Sequence, residues 1–143
     1  MSRASLVTGI VAVALSAAAP AGALQQLPPD EPGALARLNT SPRHGEWVTV
    51  DVGGGDEVRA WVVYPERSTP APVVIVIQEI YGLTDWIRSV TDQLAADGFI
   101  AIAPDLLSGK GPGGGGSDSV DQQGAVALVR ELDTAEVTRR LQA

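Results

Sequence analysis

The residues best placed to do chemistry form one short run, Gln78-Glu79-Ile80-Tyr81-Gly82-Leu83, directly after the apolar stretch Val73-Val74-Ile75-Val76-Ile77. A β-branched stretch followed by a loop reads as a strand giving way to its carboxyl-end connection. In open α/β sheets that end is where ligands bind. Glu79 would therefore place a carboxylate at the functional edge, with Ile77, Ile80 and Tyr81 around it to bury it. The same residue serves equally well as a structural glutamate that accepts hydrogen bonds from loop amides, and its type alone leaves both roles open.

Other reactive groups are sparse. The single histidine, His44, sits in Ser41-Pro42-Arg43-His44-Gly45, ahead of any strand, and reads as a solvated loop residue. One histidine and no cysteine leave too few ligands for a structural zinc and exclude every thiol nucleophile. No serine occupies a Gly-x-Ser-x-Gly elbow between a strand and a helix. Ser108 and Ser117 lack that frame, Ser89 falls mid-helix and Ser68 lies in a turn. Gly109-Lys110-Gly111-Pro112-Gly113-Gly114 formally satisfies Gly-x-Gly-x-x-Gly, yet three residues separate it from the preceding strand and Pro112 interrupts it. It reads as a flexible loop and not as a dinucleotide cradle. Lys110 is followed by glycine, without the serine or threonine that a phosphate-binding loop needs to reach magnesium. Glu131, Asp133 and Glu136 lie among Arg130, Arg139 and Arg140, the pattern of a solvated charged face. No metal or organic cofactor is implied.

The elements that would position Glu79 follow from periodicity. Trp47 to Val52 alternates, breaks at Gly53-Gly54-Gly55-Asp56, and resumes from Val58 to Tyr64, which predicts an antiparallel hairpin. Val73 to Ile77 has no polar face and suits a strand covered on both sides. Trp86, Ile87, Val90 and Leu94 fall at helical spacing, with Thr84 or Asp85 to cap the start and Gly98 to close the end. A second apolar strand, Phe99 to Ala103, completes a βαβ unit. Beyond the glycine-rich stretch 108–119, helical spacing runs through Val120, Ala125, Val126, Leu128 and Val129, and Asp133 or Thr134 caps a further helical turn holding Val137 and Leu141. A hairpin plus two parallel strands leaves a sheet with an open, hydrophobic edge.

The N-terminus reads as an address. Arg3 precedes an apolar run from Val7 to Ala19, then Pro20 and Ala21-Gly22-Ala23, the form of a secretory signal peptide cleaved after Ala23. The run is shorter than the about 20 residues a bilayer span needs and ends in a helix-breaking proline. No stable membrane span is then expected after cleavage, and the destination is the periplasm or the extracellular space. Removal of residues 1–23 leaves 9 basic and 17 acidic residues, net −8, which disfavours nucleic acid as a partner. Without cysteines, stability rests on the core alone. Residues 24–42, with Pro28, Pro29, Pro32 and Pro42, read as an irregular arm before a domain that occupies 43–143.

The run from Val73 to Gly109, with Gln-Glu-Ile-Tyr-Gly-Leu and Ala-Pro-Asp-Leu-Leu-Ser-Gly as its blocks, resembles the dienelactone hydrolase family of the α/β-hydrolase superfamily. Looser similarity extends back to His44-Gly45-Glu46-Trp47 and forward into the glycine-rich loop. The resemblance implies an α/β fold, a three-layer sandwich with a mixed, mostly parallel sheet, of which this chain holds the part through the first βαβ unit and the start of the next crossover. It implies hydrolysis of a small-molecule ester or lactone. Glu79 would contact and help to activate the nucleophile, the Ile80 backbone N–H would donate to the oxyanion, and Tyr81 would line the substrate pocket.

The departures matter as much. The family's nucleophile elbow and its later aspartate and histidine have no counterpart in these 143 residues, and His44 stands on the wrong side of the sheet to replace the histidine. The expectation is a truncated hydrolase, inactive as it stands. The alternative is a stable, non-catalytic exported binding or interaction protein with a partial hydrolase fold. Nothing in the residues specifies an oligomeric state.

Overall fold

A computed structural model of the chain describes residues 30–143. The proposed signal peptide and the first residues of the arm lie outside the described residues. Helix α1 spans Glu31–Thr40, strands β1 and β2 span Gly45–Asp51 and Glu57–Val63, and strand β3 spans Val73–Ile75. Helix α2 (Asp85–Ala96) then leads to strand β4 (Ile100–Pro104), and helices α3 (Gln122–Glu131) and α4 (Thr134–Gln142) follow. The sheet order is β1-β2-β4-β3, with β1–β2 and β2–β4 antiparallel and β3–β4 parallel. This is the mixed α/β arrangement the sequence predicts, an antiparallel start feeding a βαβ unit.

Local chemistry explains the elements. The hairpin turns at Gly53, Gly54 and Gly55, all at positive φ (82°, 69° and 79°), which L side chains rarely adopt. Thr84 caps α2 by accepting from the Ile87 N–H at 3.3 Å, and Asp133 caps α4 by accepting from Glu136 N–H at 3.0 Å. α2 lies across β2 and β4, where Ala101 and Ala103 are fully buried and small enough to let it approach closely. Leu83, Ile87 and Ala103 form the core of that contact, with Trp61, Val76 and Trp86 packed around it. On the opposite face, Val50, Val58, Ala60, Ile102 and Pro104 meet Leu141 of α4 around a cavity of about 90 Å³.

Three expectations need correction. Residues 31–40 are a helix, α1, and not part of an irregular arm: Pro32 falls in its first turn, where a missing N–H costs nothing. Its stability comes from far along the chain. Asp92 on α2, 2% exposed, accepts from Ser41 Oγ at 2.5 Å, Arg43 Nε at 2.9 Å and Arg43 Nη2 at 2.6 Å, while Arg37 hydrogen-bonds Gln93. Second, β3 is not covered on both sides. Val74 and Val76 turn half-buried toward α2, whereas Val73, Ile75 and Ile77 remain 65%, 48% and 58% exposed, because α4 reaches that face only beside Ile75 and no described element pairs with that edge. Third, Arg140 is not part of a solvated face. It is buried, donates to the Leu106 and Ser108 carbonyls at 2.9 and 3.1 Å, and with Arg139 grips Asp56 in the hairpin turn.

Burial opposes the charge on Asp92, but hydrogen bonds from Arg43 and Ser41 outweigh it and hold the carboxyl below the ordinary carboxylate range. A carboxylate depressed in this way stabilises the fold above its unfolded pKa of about 4, and that contribution is lost as pH falls through the folded value. Asp92→Ala is expected to cost about 3 kcal/mol at neutral pH, since it strands the Arg43 guanidinium. Denaturant unfolding at pH 7 and near pH 3 should show the variant losing less stability on acidification than the parent chain.

Candidate active site

The Glu79–Leu83 segment leaves the ladder just after β3, where Val76 N–H makes the final bond to Ile102 O at 2.8 Å. A turn then forms. Gly82 N–H donates to Glu79 O at 3.0 Å, which places Ile80 and Tyr81 at its two corners, 40% and 41% exposed. Gly82 has φ +79°, and a Cβ there would collide with Ser117 Oγ, so the position needs glycine twice over. Among the described residues the Ile80 N–H has no acceptor.

Two part-buried contacts hold this turn. Gln78 Oε1 accepts from Leu106 N–H at 3.0 Å, tying the strand exit to the chain after β4. Ser117 Oγ accepts from Leu83 N–H at 2.8 Å and donates to Asp105 Oδ1 at 2.6 Å. Asp105, 2% exposed, is the centre of the arrangement: its carboxylate also accepts from Ser117 N–H at 2.8 Å and Leu107 N–H at 3.1 Å. Its own N–H donates to Arg59 O at 2.8 Å, and its carbonyl accepts from Ser108 Oγ at 2.7 Å. Gly116 lies so close to Asp105 that a side chain there would meet the carboxylate. The glycine-rich loop is thus drawn around a buried acid, which argues against a phosphate at its base. Sequence reasoning missed Gln78, Asp105 and Ser117 as positioning residues. The only signal was that the Gln-Glu and Ala-Pro-Asp blocks occur together.

The predicted site residues fare unequally. Glu79, Ile80 and Tyr81 are brought together in one turn, but Glu79 is exposed and not buried, since nothing described covers the β3 edge beside it. Tyr81 lines a cleft of about 270 Å³ with Trp47, Leu83, Arg88 and Ser117. Arg88 is held structurally, its guanidinium 4.6 Å from the Trp61 ring centre and 2.9 Å from Asp85. His44 is exposed, stacks on Tyr64 and lies 3.7 Å from Glu46, on the far side of the sheet order from β3. Asp133 caps α4, and Glu136 pairs with Lys110 and Arg140. Among the described residues no group of three or more acidic or histidine side chains could hold a metal ion, and no helix is long and apolar enough to cross a membrane.

Residues 58–143, from β2 through the turn to α4, match the dienelactone hydrolase family model. The chain belongs to the dienelactone hydrolase family. A relative from Yersinia pestis that bears a carboxymethylenebutenolidase name is 45% identical over 79 residues, covering 54% of this chain and 27% of its own length. The carboxymethylenebutenolidase of Pseudomonas sp. strain P51 is 38% identical over 68 residues, 48% of this chain and 28% of its own. A crystal structure of a Klebsiella pneumoniae protein described as a dienelactone hydrolase superposes with a TM-score of 0.58 at 28% identity, covering 70% of this chain and 41% of that one. The chain thus spans between about a quarter and two fifths of the length of these dienelactone hydrolase relatives.

Ser117→Ala removes the bridge between Asp105 and Leu83 and is expected to cost about 1–2 kcal/mol. Hydrogen–deuterium exchange should show the Leu83 amide losing protection while the amides of β1 keep theirs.

Proposed function

We propose that this chain carries the oxyanion-binding part of an exported ester or lactone hydrolase. Glu79 would support a nucleophile, the Ile80 N–H would donate to the developing oxyanion, and Tyr81 would line the pocket for a small-molecule substrate. The observation that supports this reading most is the turn itself. It follows the carboxyl end of β3, it is fixed by Gln78 and Ser117, and its Ile80 N–H is free among the described residues. An oxyanion site needs such a donor, aimed in advance and not committed elsewhere.

The nucleophile, acid and histidine of the family triad are not among the 143 residues, so the chain by itself is expected not to turn over a dienelactone or a p-nitrophenyl ester above the buffer rate. Turnover that Glu79→Gln abolishes would overturn this part of the reading. Binding is tested separately. Titration with a lactone, followed by backbone amide NMR, should shift the Ile80 and Tyr81 resonances and leave α1 unmoved. An unchanged Ile80 amide up to the solubility limit of the lactone would remove the oxyanion assignment.

Export rests on the sequence of residues 1–23. Expression in a Gram-negative host is expected to deliver a protein beginning at Leu24 to the periplasm. Recovery of the intact chain from the cytoplasm alone would refute it.

A further inference from the structure

The cleft that Tyr81 lines also collects the first turns of three helices: Glu31 opens α1, Asp85 opens α2, and Asp121 caps α3. A helix start ordinarily welcomes an anion, because its N–H groups and its dipole point outward. Here the chain serves each start itself. Pro32 has no N–H and Gly33 N–H donates to Asp30 O at 3.0 Å, Thr84 Oγ accepts from Ile87 N–H at 3.3 Å, and Asp121 Oδ1 accepts from Gly124 N–H at 2.8 Å.

The arginines beside the cleft are committed in the same way. Arg88 Nη1 lies 2.9 Å from Asp85, and its guanidinium stacks over Trp61 and Trp47, 4.6 and 5.5 Å from their ring centres. Arg59 stacks over Trp47 at 4.5 Å and pairs with Asp118 at 2.8 Å. With those two pairs satisfied, three further acids of the cleft, Glu31, Asp105 and Asp121, have no basic partner among the described residues. Glu31 is brought here by α1, which Asp92 and Gln93 hold against α2 through Ser41, Arg43 and Arg37. It lies ahead of residues 58–143, so the family match says nothing of it.

We propose that this cleft sorts esters and lactones by charge: it favours a substrate bearing an ammonium group, admits an uncharged one and turns away one bearing a carboxylate, with Glu31 and Asp121 as specificity-determining residues. The site is the one set by the Glu79–Leu83 turn, so this preference rests on the oxyanion reading and adds the substrate's charge to it. A carboxylate entering the cleft meets three acids and, among the described residues, no uncommitted cation to receive it. An ammonium group is drawn by the same acids. Tyr81, 41% exposed, adds an aromatic face that attracts cations. Glu31 and Asp121 are exposed to water, so each acts by a factor of about 2–3 at roughly 7 Å in low salt. All of these groups lie between residues 31 and 121 and contribute their charges whether or not more chain follows Ala143.

Three small lactones with one ring test this on the chain as it stands: γ-butyrolactone, its γ-carboxylate, and homoserine lactone, whose amino group is protonated at about pH 6. Titrations followed at the Ile80 and Tyr81 amides in about 10 mM salt should rank the affinities ammonium, neutral, carboxylate, with steps of about fivefold that shrink below about twofold in about 0.5 M salt. The double variant Glu31→Gln, Asp121→Asn, in which asparagine keeps the α3 cap, should stay folded by circular dichroism. It should bring the ammonium and carboxylate affinities closer by about threefold or more and leave the neutral lactone's affinity unchanged. Equal affinities, or tightest binding of the carboxylate, would overturn the charge preference and leave the oxyanion reading standing. An order that the double variant does not alter would overturn the assignment to Glu31 and Asp121. No shift at Ile80 with any of the three lactones would remove the oxyanion reading, and the charge preference with it.

Discussion

The structure depends on where one buried carboxylate finds its donors. Asp105 stands at the end of β4 with almost no access to water, and a charge in that position is tolerable only if several donors surround it. Its partners come from the chain just beyond it, at Leu107, and from the far side of the glycine-rich loop, at Ser117. That requirement bends the loop back on itself, and Ser117, once delivered, has an oxygen lone pair left to receive the Leu83 N–H. The turn bearing Glu79, Ile80 and Tyr81 is thereby set by an acid whose hydrogen bonds, among the described residues, go to none of the three. Glycines at 82 and 116 are the space this arrangement needs, since a side chain at either would strike Ser117 or Asp105.

The two ends of the described chain are secured by the same kind of device, an acid gripped by arginines. Asp92 binds the segment after α1 to α2, and Asp56 binds α4 to the hairpin turn. In both cases helix packing alone offers little: α1 buries only Ala34, and in α4 the buried residue is Arg140 itself. A chain with no disulfide available to it thus closes its periphery with charge-assisted hydrogen bonds.

What could be read from the sequence is what neighbouring residues decide. Three consecutive glycines announce the hairpin turn, Thr84 and Asp133 announce helix starts, and alternation announces β1 and β2. The family resemblance, carried by the blocks around Glu79 and Asp105, is upheld by the match of residues 58–143. What could not be read is what distant residues decide. α1 reads as irregular because the prolines around it, with Pro32 in its first turn, conceal a helix whose anchor, Asp92, lies 49 to 51 residues beyond Arg43 and Ser41. The β-branched run of β3 signals an interior strand whatever its neighbours are, so it says nothing of whether a face is covered. The bridge between Gln78 and Leu106 spans 28 residues and leaves no local pattern.

The grip on Asp56 also orders events in time. Its partners Arg139 and Arg140 lie 83 and 84 residues farther along the chain, so the hairpin, though formed from adjacent residues, gains this support only when α4 arrives. Contacts of such long range slow folding, because the loop between them must be closed before they can contribute. During synthesis the hairpin therefore leaves the ribosome well before α4 does, and its glycine turn waits with Asp56 ungripped until those two arginines emerge.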